Sequence, residues 1–293
     1  MYDFMITIFT PTYNRASLLR DVYESLLLQS LKDFEWVIVD DGSTDDTQTL
    51  FQAFSSSERT CFPIRYFYQE NGGKHRAINR GVKEAKGELF LILDSDDVLL
   101  PDAVKIINDY YLQIKEDFSF CGVCGRIAHR NGSLIGSPFA HDVMDMSYLE
   151  CRYNRHIKGD MLEVIRTSIM KKFPFPEIEG EKFCPEALIW NRIGCKYKMR
   201  YFNKVVYLRD YLEHGLTDKI VKIRMNSSEA SMTTYAELLK YNIVFKQKVK
   251  AAINYWRFRF CAPKTKIKKN ISVFWCWTIP FGYLLHILDL KRA

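Results

Sequence analysis

Four apolar runs of strand length, each closed by a polar cluster and followed by a stretch near helical spacing, constrain this chain more than any other feature. The runs cover residues 4–9, 35–39, 64–68 and 89–93. Helices are expected over 17–29, from about 45 to 54, over 75–85, and after Pro101 to about 115. Ser17 is the expected cap of the first, and Thr44 or Asp45 of the second. Pro11 lacks an N–H and is expected to stop the first strand. Strand and helix alternating in this way predict an α/β chain with a parallel, doubly wound sheet. Such sheets bind ligands outside the carboxyl ends of their strands, so the four polar clusters are expected to face one crevice.

The clusters carry specific chemistry. After the fourth run come Asp94-Ser95-Asp96-Asp97, three carboxylates within four residues. Residues 89–93 are wholly apolar, as in a strand buried on both faces. Carboxylates crowded at such a strand end repel one another unless a cation sits among them. An all-oxygen set suits a hard divalent ion such as Mg²⁺ or Mn²⁺, with water and substrate phosphates completing the shell. The plainer alternative is an acidic turn in which Asp97 or Asp102 caps the next helix. No Gly-x-Gly-x-x-Gly follows the first run and no Walker-type loop occurs, so the common dinucleotide and nucleotide-hydrolysis designs are poor matches. The other clusters offer Tyr13 to stack on a base, Asp40 and Asp41 for ring N–H or ribose hydroxyls, and Lys74 for phosphate. Together these parts describe a nucleoside diphosphate held through a metal. Each also has a structural alternative: a core aromatic for Tyr13, a turn-and-cap pair for the two acids, a solvated loop residue for Lys74.

Composition adds bounds. A chain of 293 residues can hold one large domain with an appendage. Its net charge of +7 fits an anionic small molecule, a membrane surface or nucleic acid equally. The eight cysteines are scattered, and only Cys121 and Cys124 have metal-like spacing, with no second pair to answer them. Reduced thiols in a cytoplasmic protein are expected, and the N-terminus has no signal-peptide pattern.

Thr10-Pro11-Thr12-Tyr13-Asn14-Arg15, Val39-Asp40-Asp41-Gly42-Ser43-Thr44-Asp45, Asn71-Gly72-Gly73-Lys74 with Asn79-Arg80-Gly81, and Asp94-Ser95-Asp96-Asp97 resemble, in order and register over about 105 residues, the family-2 glycosyltransferases of the GT-A fold. The resemblance implies a Rossmann-like, mostly parallel sheet sandwiched by helices. It implies that Pro11, Tyr13, Arg15, Asp40, Asp41, Lys74, Asp94 and Ser95 bind the nucleotide, with Asp41 and the segment from Pro11 to Tyr13 around a uracil-type base. Asp96 would ligate Mn²⁺ or Mg²⁺, and His214 would assist at the metal or diphosphate, unless it is a turn histidine. Family members place an acidic pair ahead of an aromatic on a later helix, the second acid serving as general base. Here Pro185 replaces the first acid, leaving Glu186 before Trp190, with Glu181 in reserve.

The expected organisation is a catalytic domain over 1–225, with a nucleotide half (1–115) and an acceptor half (116–225), then a helical, basic and aromatic extension over 226–293. In the acceptor half, 118–128 reads as a strand, 197–201 and 205–208 as two short strands, and Gly159-Asp160 as a helix start, though Asp160 could contact a sugar hydroxyl. The run 271–288 bears Trp275, Trp277 and Tyr283 together with Pro280 and Gly282. It reads either as a segment lying on an anionic membrane face or as half of a helical hairpin packed on the protein, and less well as a transmembrane helix. No RNA-binding module is present, and no nucleic-acid partner is expected.

The resulting expectation is a metal-dependent, inverting glycosyltransferase, cytoplasmic or peripheral at the cytoplasmic membrane face. It would move a sugar from a nucleotide diphosphate, UDP foremost, to a hydroxyl of a glycan or lipid-linked acceptor in cell-surface polysaccharide synthesis. Two rivals are a nucleotidyltransferase, which would need a basic glycine-rich loop where residues 10–15 stand, and a catalytically inactive sugar- or membrane-binding scaffold.

Overall fold

The computed structural model describes residues 2–209, 216–262 and 271–292. His214 and the basic run 264–269 lie outside the described residues. Contacts divide the chain into two compact units that alternate along the sequence rather than parting at a single cut after 225. One comprises Met1–Ser147, Ile157–Pro174 and Lys196–Asp210; the other comprises Tyr148–His156, Phe175–Cys195 and Tyr211–Ala293.

The first unit begins with β1 (Phe4–Thr12), α1 (Ala16–Leu27), β2 (Phe34–Asp40), α2 (Thr47–Ser55), β3 (Ile64–Tyr68), α3 (Lys74–Glu84) and β4 (Gly87–Ile92). These strands pair in parallel in the order β3-β2-β1-β4. Residues of β1 and β2 are almost all buried, because strands interior to such a sheet are covered on both faces. Tyr23, Trp36, Phe51 and Phe54 fill the space beneath α1 and α2, with the Tyr23 and Phe54 rings stacked at 4.1 Å. On the opposite face of the sheet one acid is fully buried: Glu35 accepts hydrogen bonds from Thr7 Oγ1 (2.6 Å), Lys86 N (2.7 Å) and Arg65 (3.0 Å).

Pro11 does not end its strand, since it lies in register with Val39 and β1 runs on to Thr12. Ser17 does not cap α1; the helix starts at Ala16, whose N–H donates to Asp45 Oδ2 at 3.0 Å. Asp45 also accepts from Thr47 N and Oγ1, and so supports the start of α2 as expected. Asp102 makes no cap hydrogen bond at α4 (Ala103–Leu112) and accepts instead from Ser30 Oγ.

Beyond β4 the sheet becomes mixed. It adds β5 (Val98–Leu99), β6 (Phe120–Ala128), β7 (Val143–Met146), β8 (Met161–Arg166), which leads into the short α5 (Thr167–Met170), and β9 (Lys198–Leu208), with the order continuing β4-β8-β6-β9-β5. β8 is antiparallel to both neighbours, whereas β6 and β9 are parallel. The two short strands expected over 197–208 are one strand with irregular register against β6, since Arg126 pairs with Val205 and Cys124 with Tyr201. The expected helix start at Gly159-Asp160 is a turn into β8 instead. Gly159 has φ +94° and lies against Gly136 so closely that a Cβ there would approach its Cα to 2.2 Å.

The second unit is helical: α6 (Ala187–Gly194), α7 (Leu216–Asn226), α8 (Ser228–Leu238), α9 (Phe245–Arg259) and α10 (Ile279–Arg292), the last preceded by a tight 3₁₀ turn over Val273–Thr278. Leu149, Leu238, Ile243, Ala251, Ala252 and Trp275 form one of its cores. Arg192 on α6 makes a two-pronged ion pair with Glu237 on α8 at 2.8 Å.

Candidate active site

Parallel pairing of β3, β2, β1 and β4 puts the carboxyl ends of four strands on one edge, where their loops form a hydrogen-bonded ring. From the β1 loop, Asn14 takes the left-handed φ of +51°. Its N–H donates to Ser43 Oγ (2.8 Å) and its Oδ1 accepts from Thr44 N (2.8 Å), which ties it to the β2 loop. In the β2 loop, Asp41 accepts from Gln69 Nε2 (2.8 Å), Gly72 N (2.9 Å) and Gly73 N (2.7 Å), which binds the loop after β3. Lys74 opens α3 immediately after that loop and contacts Asp94 Oδ1 at 2.7 Å, reaching the β4 end. Arg15 closes the ring by donating to Asp96 Oδ2 at 2.8 Å, with Ser95 Oγ at 3.5 Å.

Arg15 with Ser95 and Asp96, and Lys74 with Asp94, singled out in the sequence, are therefore in direct contact, while Asp40 closes β2 and Asp41 opens the loop after it. Asp40 is buried, accepts from Ser43 N (2.8 Å) and receives the Tyr66 hydroxyl at 2.6 Å. Burial, reinforced by Asp40, pushes the Tyr66 hydroxyl well above its ordinary pKa. Tyr13 is 49% exposed, so it is not a core aromatic, and Pro11 lies buried at the end of β1.

The cation that the three aspartates require is supplied partly by the protein itself, from a residue the sequence reading did not single out. Arg209, just past β9, donates from Nη2 to Asp94 Oδ2 (2.7 Å), from Nε to Asp97 Oδ2 (2.9 Å) and from Nη1 to Asp160 Oδ2 (2.9 Å). Tyr207 adds its hydroxyl to Asp97 Oδ2 at 2.6 Å and accepts from Asp94 N at 3.2 Å. Burial by itself would raise the Asp94 pKa, but Lys74 and Arg209 override it and hold the carboxyl below its usual value. For Asp97 burial wins over Arg209 and pushes the carboxyl up to about 6. Its Oδ1 is buried without a hydrogen-bond partner, as suits a group that is easily protonated. No motif announces Arg209, because it stands 112 residues from Asp97 and 115 from Asp94.

Among the described residues, no three His, Cys, Asp or Glu side chains gather closely enough to form a metal site by themselves. Magnesium-like ions are nonetheless commonly held by one or two carboxylates together with substrate phosphates. Asp96 fits that role. It is 21% exposed, and Arg15 engages only one of its oxygens. Asp94 fits less well, since Lys74 and Arg209 take one oxygen each.

Glu186 belongs to the second unit, half-buried at the N-terminus of α6. Glu181 is committed elsewhere, because its two oxygens accept from Glu229 N (2.7 Å) and Ala230 N (2.9 Å) at the start of α8.

Comparison with known proteins bears on the family and the fold. Over 125 residues the chain is 38% identical to a glycosyltransferase of Rickettsia typhi, covering 41% of this chain and 37% of that protein. It is 32% identical over 210 residues to glycosyltransferase GlyA of Streptococcus pneumoniae, covering 71% of this chain and 29% of that one. The chain thus spans about a third of the length of these relatives. Solved structures share the fold. TarS 1–349 of S. aureus in complex with UDP has a TM-score of 0.62 at 20% identity, covering 95% of this chain and 80% of that one. Mannosyltransferase PcManGT from Pyrobaculum calidifontis, in complex with GDP-Man and Mn²⁺, has a TM-score of 0.60 at 16% identity, covering 100% and 77%. The fold is accordingly GT-A. A family model described as "Glycosyl transferase family 2" matches residues 7–170, more than half of the chain. The protein belongs to glycosyl transferase family 2.

Proposed function

We propose that this protein transfers a sugar, with inversion, from a nucleoside diphosphate donor (UDP-linked foremost) to a hydroxyl of a glycan or lipid-linked acceptor. The observation that carries this reading is the ring of four loops, which gathers an exposed aromatic, two cationic side chains and a partly exposed carboxylate at one edge of the sheet. Structures with this fold hold UDP, UDP-GlcNAc or GDP-Man, which supports the donor class. Tyr13 offers a face to the base, and Asp40 and Asp41, buried and bonded to the neighbouring loops, hold the walls around it. Lys74 and Arg15, now paired with carboxylates, supply positive charge for the diphosphate.

Asp96 would hold a divalent ion, which when bound offsets charge on the departing diphosphate. In the transfer itself, the acceptor oxygen forms the new bond to the anomeric carbon as the bond to the diphosphate breaks, and Glu186 takes the acceptor proton. The test is calorimetry with UDP and Mn²⁺, followed by a panel of nucleotide sugars assayed for Mn²⁺-dependent donor hydrolysis. Binding of UDP with hydrolysis of one donor is expected. Absence of both would overturn the reading, and binding without turnover of any donor would leave an inactive scaffold as the better account.

A further inference from the structure

The C-terminal stretch departs from the rest of the chain in charge and in the orientation of its last helix. Residues 240–293 hold twelve lysines and arginines and a single acid, Asp289, for a net charge of +11 where the whole chain carries +7. The preceding 239 residues are therefore net acidic, at −4. A helix on the surface of a soluble body ordinarily turns its apolar stripe inward and its charges outward. The 3₁₀ turn and α10 do the reverse over much of their length. Facing inward are Trp275, Thr278, Gly282 and Asp289, the last only 5% exposed. Facing outward are Val273 (84% exposed), Phe274, Trp277, Phe281, Leu284 and Leu288. Trp277, Phe281, Leu284 and Leu288 follow at intervals of four, three and four residues, which is a single ridge along one side.

The segment is fastened flat against its neighbour. Asp289 accepts from both Nε and Nη2 of Arg257 on α9, the latter at 2.6 Å. Gly282 lies so near Trp256 that a Cβ there would approach the Trp256 Cβ to 2.5 Å. The stretch Val273–Lys291 passes a length-and-hydropathy test for crossing a bilayer. But Trp275, Thr278, Gly282 and Asp289 along it are packed against the protein rather than open to lipid. Leaving α9 would also strand Asp289 in lipid without its guanidinium partner.

We propose that this ridge is a docking surface for an anionic lipid bilayer, with α10 lying in the plane of the interface. Trp277, Phe281, Leu284 and Leu288 enter the acyl boundary, with Tyr283 beside them at headgroup level. The exposed Lys246, Lys250 and Lys291 supply attraction to acidic headgroups. Charge complementarity selects this occupant. A protein partner would leave the accumulation of twelve basic residues beside one acid without a role.

The test uses the full chain and sedimentation with vesicles of phosphatidylcholine, with and without phosphatidylglycerol, and does not depend on catalysis. Binding to the anionic vesicles alone, weakened by added salt, is expected. Phe281→Ser combined with Leu284→Ser, both at exposed positions, should weaken it about tenfold or more while the thermal unfolding midpoint stays unchanged. Brominated acyl chains should quench tryptophan emission, and Trp277→Phe should remove most of that quenching. The proposal is overturned if anionic vesicles fail to bind the protein, or if the double substitution leaves binding intact. Concentration-dependent dimerisation abolished by the same substitutions, in place of vesicle binding, would also overturn it and assign the ridge to a second copy of the chain.

Discussion

Replacing Arg209 by Met keeps most of the side-chain volume and removes the guanidinium that three aspartates share. Asp97, 1% exposed, would lose its charge partner and keep only the Tyr207 hydroxyl, while Asp94 would retain Lys74. Removing one member of a buried ion pair costs about 3–5 kcal/mol. Arg209 is 23% exposed and Asp94 19%, so water recovers part of the loss, and about 2–4 kcal/mol is the expected cost. Urea unfolding of the wild type, Arg209→Met, Asp97→Asn and the double variant forms a cycle that isolates the pair. Asp97→Asn should return about half or more of the loss, because the carboxylate left most deeply buried without its partner is then gone. The pH dependence has a definite sign. Burial raises the Asp97 carboxyl to about 6, so its contribution to stability is complete below the ordinary carboxylate range and falls away as pH rises through about 6. Without Arg209 that pKa rises further, so the variant should lose more at pH 8 than at pH 5. A loss under about 1 kcal/mol, or an equal loss in the Asp97→Asn background, would refute the claim that Arg209 neutralises this cluster.

Further predictions concern chemistry and reactivity. Asp96→Ala should abolish transfer and weaken Mn²⁺-dependent UDP binding in calorimetry, and a chelator should do the same reversibly; wild-type binding after either treatment would remove Asp96 from the metal site. Glu186→Gln should lower turnover by about a hundredfold or more with donor affinity nearly unchanged, and full activity in a steady-state assay would place the base elsewhere. Cys61, Cys195 and Cys276 are exposed, whereas Cys121, Cys124, Cys151 and Cys184 are buried, and burial pushes the Cys121 and Cys184 thiols up to about 12. A thiol reagent at pH 8 should therefore label those three rapidly and all eight only in denaturant; rapid native labelling of Cys121 would contradict the packing of β6.

The sequence made the β1–β4 half readable because its signals are local. A strand buried on both faces must be an apolar run, and its polar end must be the loop that meets a ligand. It was less informative where a contact spans the chain. Pro11 reads as a stop, yet the parallel ladder continues past it to Thr12. Asp160 reads as a helix start because Gly-Asp is a common opening, while the close approach of Gly159 to Gly136 makes a turn there. The three aspartates signalled a cation, but nothing in their neighbourhood could tell an arginine beyond residue 200 from a metal ion. The ring formed by Asn14, Asp41, Lys74 and Arg15 was likewise invisible as bonds, although each of its loops was recognisable as a motif.

The late position of Arg209 bears on how the protein comes into being. As the nascent chain leaves the ribosome, the first four strands and their acidic loop emerge more than a hundred residues ahead of the guanidinium that discharges them. Until then only Arg15 and Lys74 are at hand, and hydration must shoulder what remains. A shortened protein ending at residue 170, where the family match stops, would carry every recognisable motif of the loops and still lack this counter-charge. Expressed alone, such a fragment should stay open at its acidic corner, needing salt or a cation from the medium to close.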